Sequence, residues 1–478
     1  MAYSQKIHKT YSGKGEIIFD DGLTLSVTFE ATQDVTGGIL IECYHVSSER
    51  VGLSEEDNLF FKRVRSFEGT TNEGCLFQAE AVQIKTYSLP RMREGRWHFR
   101  LRLRAGKLTL VGPFQPDPKE FVIFRFDLVN LTLEPDEIVS SQDGGLYLGQ
   151  FTVNLDGHPF IFRSVQQYDE IIKDLKYTHG VDVTYSLSVI AAKQDSDKIV
   201  QAVDDICMLL TFARGTKVTW ISYEIRTFCN NIIRSVHLNA KTKSFGVLSI
   251  ISPRFAPKEV NDTRQFLTQC YGAYQKAKDK WALEKAIHGY IDGLMEEDFI
   301  EARALKLVIV VEHLKGIYLK KKKMTTILTS RQFRKVQKKL KPVIQNELER
   351  QLQIVSDFKD EDLELIVKSM TEHIPAMNRY SLRYTLSVMI KDLGATPLRD
   401  DISRFVKIRN TLVHQAGFSK NEGSCTEQYF FIMMFVGRLL LAILQYQGYY
   451  NDWADRSIER PFWPETIRKR LILEKHKE

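Results

Sequence analysis

Over the first 190 residues apolar and polar side chains alternate in short runs, whereas beyond about residue 262 the apolar residues recur at helical spacing. An apolar period of two buries one face of a strand and a period near 3.6 buries one stripe of a helix, so neither half suits the other's geometry. The stretch GEIIFDDGLTLSVTFEA reads as two strands joined at Asp21-Gly22, a hairpin signal. GGILIECYHV, EGCLFQAEAVQIKTY, RWHFRLRLRAGKLTLVGPF, FVIFRFDLVNLTL and DVTYSLSVIAA continue in the same style, with Gly, Pro, Asn or Asp between them. Many short strands imply a sandwich- or barrel-like region. The later spacing predicts helices at 263–280, 297–322, 329–354, 361–374, 380–393, 399–416 and 426–449, consecutive enough for a bundle. Between them, Ile199, Val203, Ile206 and Leu210 follow helical spacing after a cap at Asp195 or Ser196, and KVTWISYEI is strand-like. The expected fold is therefore α+β, with a β-rich domain at 1–190, a connecting α/β segment at 191–260 and a helical bundle at 261–478.

Composition narrows the function classes. With 478 residues there is length for two or three domains, and the net charge of +7 is modest for that length. Six cysteines are scattered without a C-x-x-C pair or zinc spacing, which implies free thiols in a reducing compartment. The N-terminus MAYSQKIHKTYSGKG has no apolar leader, so a cytoplasmic location is expected. The longest apolar run, 429–450, is interrupted by Arg438 and Gln445 and reads as a buried bundle helix, not a membrane span. There is no Walker loop, no G-x-G-x-x-G after a strand and no two-metal carboxylate cluster; LRDDIS at 398–403 reads as an acidic helix start. No cofactor and no metal are expected.

The polar anomaly lies in KIRNTLVHQ, residues 407–415. At about 100° per residue, Ile402, Phe405, Val406, Ile408, Leu412 and Val413 fill one apolar arc with Arg409 in its middle. Asn410 and His414, four apart, share the arc's edge. A guanidinium there needs a carboxylate, a ligand or a partner surface. Glu312, on the same helix face as Leu305, Val308 and Ile309, is the matching anomaly, and the two are expected to approach each other. His313 beside it reads as a residue bordering the core, with a place in the site as the alternative.

Arginine, a polar residue, then histidine five places after the arginine resembles the R-x4–6-H signature of HEPN ribonucleases, which are small helical bundles. The same arithmetic fits Arg91 or Arg93 with His98, and Arg470 with His476, but only Arg409 and His414 fall on an amphipathic helix inside a bundle. A β-rich first half followed by such a bundle resembles bacterial anti-phage proteins of the ApeA type, to which GEIIFDDGLTLSVTFEATQDVTGGILIECYH and DDICMLLTFARGTKVTW are also similar. The resemblance implies metal-independent endoribonuclease activity in abortive infection. His414 would take the 2′-hydroxyl proton and Arg409 would hold the charged phosphate. Asn410 would orient His414 or a phosphate oxygen, and Glu312 would keep Arg409 in place. It further implies a homodimer through the bundle, RNA as substrate and a phage-derived trigger on the β domain.

Two cationic stretches add to this. From Lys320 to Lys341 there are ten Lys or Arg and no Asp or Glu. Lys320, Lys321, Lys322 and Lys323 close one helix, and Arg331, Arg334, Lys335 and Lys338 line one face of the next, opposite Phe333, Val336 and Leu340. The pattern suits an RNA track or simply a solvated face. In WHFRLRLR, Arg100, Arg102 and Arg104 alternate with Phe99, Leu101 and Leu103, a row that grips RNA, grips an acidic protein, or faces water. Two rival readings stay open: a non-catalytic HEPN dimerisation module joined to a partner-binding β domain, and a carbohydrate- or ligand-binding β domain using Trp97, Phe99 and Phe114.

Overall fold

The computed structural model of the chain describes residues 6–47, 63–88, 91–93, 96–133, 137–140, 146–240, 245–246, 248–251, 262–296, 298–324, 326–355, 360–395, 398–455 and 458–462. Two compact units result, one from 1–275 with 446–462 and one from 276–445. The large antiparallel sheet lies N-terminal and most helices lie C-terminal, as an α+β chain requires.

The first unit begins with β1 (Ile7–Phe19), β2 (Thr24–Asp34), β3 (Ile39–Ser47), β4 (Val64–Thr71), β5 (Leu76–Glu80), β6 (Gln83–Tyr87), β7 (Arg91–Arg93), β8 (Arg96–Ala105) and β9 (Lys107–Val111). It continues with β10 (Phe121–Val129), β11 (Glu137–Ser140), β12 (Leu146–Leu155), β13 (His158–Ser164), α1 (Tyr168–Thr178), β14 (Val183–Ala192), α2 (Ser196–Arg214), β15 (Thr219–Arg226) and β16 (Ile232–Leu238). All sixteen strands join one sheet in the order β11-β12-β13-β14-β10-β15-β16-β9-β5-β4-β1-β2-β3-β8-β6, with β7 on β8.

The β1–β2 hairpin forms where Asp21-Gly22 predicts it. Gly22 takes φ +85°, and Asp21 Oδ1 accepts the Leu23 amide at 3.1 Å. Strict alternation along β2 and β8 sends Leu25, Val27, Phe29, Leu101 and Leu103 inward, where Phe29, Phe67 and Phe77 pack their rings with centroids 4.2 to 5.4 Å apart. At Gly106, β8 runs directly into β9, and the strands of the path β9-β5-β4-β1-β2-β3-β8 share this core.

The segment expected to connect two domains instead supplies interior strands of the sheet. β15 pairs with β10 and β16, and β16 pairs with β9. β15 is buried on both faces because α2 covers one of them, with Ile199, Val203, Ile206 and Leu210 all inward. A strand with both faces covered loses the alternation that marks a half-buried sheet member, which is why its sequence suggests a connecting segment at 191–260.

Polar side chains tie the two halves of this sheet. Gln33 of β2 donates its amide to the Ile221 and Leu238 carbonyls at 2.9 and 3.1 Å, so its Oε1 must accept from His237 Nδ1 at 2.8 Å. That leaves His237 Nε2 to accept from Tyr11 and Ser235, each at 2.9 Å. The ring is therefore held neutral, and burial together with nearby Lys9 lowers its pKa to about 3. Asp127 accepts from Ser222 at 2.6 Å and meets His8 at 3.0 Å. Burial raises its pKa, but the His8 hydrogen bond and Lys9 outweigh that and hold it at about 2.

The second unit follows α3 (Asp262–Trp281), which carries the chain into it, and comprises α4 (Leu283–Leu294), α5 (Ile300–Lys322), α6 (Ser330–Val355), α7 (Asp360–Glu372), α8 (Leu382–Asp392), α9 (Ile402–Gln415) and α10 (Cys425–Ile443). α5 is the central helix and packs against α4, α8, α9 and α10. Its approach to α4 is close because Gly289 and Gly293 stand there: a Cβ on either would fall 2.7 Å from Val310 Cγ2 or 2.5 Å from Leu307 Cγ. α10 is the one described helix long and apolar enough to cross a bilayer, and 78% of that stretch is buried inside the molecule. It stops at Ile443, short of the expected 449, because Gln445 takes φ +56° and the chain enters a hairpin of β17 (Gly448–Asp452) and β18 (Ile458–Phe462).

The buried histidine makes the fold acid-sensitive in a defined window. The unfolded chain protonates His237 as pH falls through 6.5, whereas the folded chain resists until about 3. Stability should therefore decline across that range with a slope of up to about 1.4 kcal/mol per pH unit. Asp127 adds a loss in the same direction between 3.8 and about 2. His237→Gln should flatten the decline between pH 6.5 and 4 while lowering stability near neutrality by about 1–2 kcal/mol. Urea unfolding at a series of pH values checks this.

Candidate active site

α9 is fixed to its neighbours by its buried half. Ile402, Phe405, Ile408 and Leu412 recur every three or four residues and are all buried, with Phe405 stacked on Phe435 at 4.4 Å. Arg404 lies over the Phe431 ring at 4.4 Å, and Arg438 of α10 meets Asp401 at 2.9 Å. Burial pushes the Asp401 carboxyl above the usual carboxylate range, against the pull of Arg438. These contacts set both the rotation and the height of α9.

With the rotation fixed, the positions of the motif follow. The apolar arc expected around Arg409 is divided: its far half faces the core, whereas Val413 is 44% exposed. Arg409 therefore sits at the boundary, half-buried, and Asn410 and His414 are exposed beyond it. Glu312 and Arg409 approach as their positions predict, with Nη2 and Oε1 3.0 Å apart. The contact is an ion pair and not a linear hydrogen bond, since Oε1 is buried without a hydrogen-bond partner. Lys315, one turn on from Glu312, takes the other carboxylate oxygen. Its i+3 spacing from Glu312 is the sequence signal for this contact.

Arg409 and His414 are five apart, hence about 140° apart around the helix. Asn410 bridges that gap. Its Oδ1 accepts from Arg409 Nη1 at 3.0 Å, which turns the guanidinium toward the face shared by Asn410 and His414. The guanidinium is thus held on two sides, with Nε buried and making no hydrogen bond. His414 remains exposed. On α5, Leu305 and Ile309 share the face of Glu312 and are 37% and 58% exposed, so a polar centre is bordered by apolar side chains open to solvent. His313 points about 100° away from Glu312 around α5, with its Nε2 buried.

The cationic stretch divides in two. Lys322 is bound to Asp392 at 2.5 Å, and Lys321 and Lys322 lie over the rings of Trp281 and Tyr318 at 5.5 and 5.8 Å. Tyr318 also donates to Asp392 at 2.7 Å, so the end of α5 is partly a structural clasp. Lys320 and Lys323 are exposed there, and Arg331, Arg334, Lys335 and Lys338 are all exposed on α6. α6 packs against α7 and the turn at Ile374–Asn378, and its apolar face is only partly covered, with Val336 and Val343 exposed. An open cleft of about 570 Å³ lined by Thr152, Asn154, Arg264 and Thr268 contains none of the expected site residues. Among the described residues, no three His, Cys, Asp or Glu side chains cluster to hold a metal.

Removing one member of the half-buried pair should cost more than a surface ion pair. Glu312→Gln should destabilise the chain by about 1–2 kcal/mol. A double-mutant cycle with Arg409→Gln, read by urea unfolding, should return a positive coupling energy. Compared with models of known protein families, with curated proteins and with solved structures, the chain matches none.

Proposed function

We propose that the helical unit is a HEPN-type endoribonuclease working without a metal ion, in a bacterial anti-phage protein of the ApeA type. The observation that carries this reading is a guanidinium held between Glu312 and Asn410 beside an exposed His414, one turn from Asn410. In the proposed reaction a ribose 2′-hydroxyl attacks its neighbouring phosphorus and gives its proton to His414. Arg409 stabilises the extra negative charge on the phosphate oxygens through paired N–H donors. The bond from phosphorus to O5′ breaks, leaving a cyclic phosphate and a 5′-hydroxyl. Glu312 positions Arg409, and Asn410 holds the guanidinium toward the substrate face.

The departing O5′ needs a proton, and one histidine cannot be base and acid at once. A second copy related by a two-fold axis supplies another His414, and the exposed Leu305, Ile309 and Val413 favour such an apolar interface. The exposed cations of α6 suit a phosphate track for RNA. In the cell the protein would act in the cytoplasm as an abortive-infection toxin, silent until a phage-derived trigger meets the β-rich unit.

A second reading keeps the bundle as a non-catalytic dimerisation module. The double engagement of Arg409 favours it, because a guanidinium tied on two sides also serves as a strut between α5 and α9. RNA end mapping separates the two. The wild type should leave 5′-hydroxyl ends in EDTA, and His414→Ala and Arg409→Ala should each lower cleavage by about 10²–10⁴-fold with the dimer intact. Val413→Glu should give a monomer by sedimentation and abolish cleavage. Magnesium-dependent products with 5′-phosphates, or cleavage indifferent to His414→Ala, would sink the catalytic reading.

A further inference from the structure

The β-rich unit carries a charged face that the chemistry of α9 does not use. On β8 the side chains of Phe99, Leu101 and Leu103 are buried, and those of Arg100, Arg102 and Arg104 stand on the opposite, open face. β3 lies alongside with Glu42 opposite Arg102 and Tyr44 opposite Arg100. Arg96 on β8 and Lys85 at the bulge of β6 are exposed as well, so these three strands carry five cations and one carboxylate, with Glu30 of the adjacent β2 opposite Glu42. Among the described residues β6 ends the sheet beside this face.

Glu42 organises the row more than it neutralises it. Its carboxylate accepts from Arg100 at 2.5 Å, from Arg102 at 2.6 and 3.0 Å and from Tyr44 at 3.0 Å. The Arg102 hydrogen bond is the chief reason its pKa falls to about 2, so it stays ionised and holds both forks in place at any physiological pH. Arg100 packs over one face of the Tyr44 ring at 5.4 Å, yet the residue remains 41% exposed, with Val46 exposed next but one along β3. Guanidiniums on alternate strand residues recur about every 7 Å.

From these features we infer that the β3–β8–β6 face binds single-stranded nucleic acid. The arginine row tracks the phosphates, and Tyr44 offers a ring on which a base stacks. An acidic protein would satisfy the cations but makes no use of the open ring, and a duplex presents no free base to it. This inference stands independently of whether α9 cleaves RNA.

The test uses the full chain and a fluorescent 2′-O-methyl uridine 20-mer, which lacks the hydroxyl that the proposed cleavage needs. Arg331, Arg334, Lys335 and Lys338 are first changed to Gln, so that binding reports on the β-rich unit. Anisotropy titrations over a salt series should then show salt-sensitive binding. Arg96→Ala with Arg104→Ala should lower the salt slope by about 1–2 released ions. Tyr44→Ala should weaken binding about tenfold. Glu42→Gln should weaken it as well, because both guanidinium forks lose their hold, with the far-UV circular dichroism of the wild type retained. Affinity unchanged in all of these variants overturns the inference. So does preferential binding of polyglutamate or of duplex RNA over the single strand.

Discussion

A cation that leaves water must meet an anion, and this requirement decides how several elements of the chain are set against one another. Arg409 on α9 reaches Glu312 on α5, and Arg438 on α10 reaches Asp401 at the start of α9. In the sheet, Lys9 on β1 meets Glu224 on β15 at 2.8 Å and lies 4.0 Å from Asp127 on β10. Each contact joins two elements at the margin of an apolar core, consecutive ones for α9 and α10 and distant ones in the other cases. Such pairs contribute little net stability, because desolvation offsets most of the attraction, but a slipped register would strand a charge. The apolar residues make the elements stick, and the charges select the rotation and height at which they do so.

The proposed site is a by-product of that selection. α9 uses one half of its surface to pack and leaves the other half open, and Arg409 falls on the line between them. A fully buried arginine would be sealed from substrate, and a fully exposed one would be mobile and well hydrated. Held at the boundary by Glu312 and Asn410, the guanidinium keeps its place before any phosphate arrives. The β-rich unit repeats the device, with Glu42 fixing Arg100 and Arg102 on an open face. In both places a carboxylate orients cations instead of cancelling them.

Much of the architecture was legible from spacing. The β-rich first half, the helical second half, the buried stripe of α2 and six of the seven expected bundle helices to within a few residues follow from apolar periodicity, because that period reports directly which face of an element leaves water. The seventh ran past its end at Ile443, where an apolar sequence continues but the backbone turns into a strand. α1 and α4 were missed. In α4, LEKAIHGYIDGL, two glycines weaken the local helical signal, although those glycines are what let α5 come close.

Within the site, the pairing of Glu312 with Arg409 could be anticipated because each was a charge in an apolar stripe, and a charge there has few ways to be satisfied. The exposure of Val413 could not, since a helical wheel orders residues around an axis without saying which arc meets a neighbour. Nor could the capture of Lys322 by Asp392, or of Arg100 and Arg102 by Glu42, because partners 58 to 70 residues away leave no trace in local spacing. The sequence by itself determined the type of most elements, the faces that must be hidden and the charges that needed partners. Only the tertiary structure decided the strand order, the absorption of β15 and β16 into the sheet and the partners those charges took. Periodicity is a property of one segment in water, whereas neighbours are chosen by segments competing to bury the same surfaces.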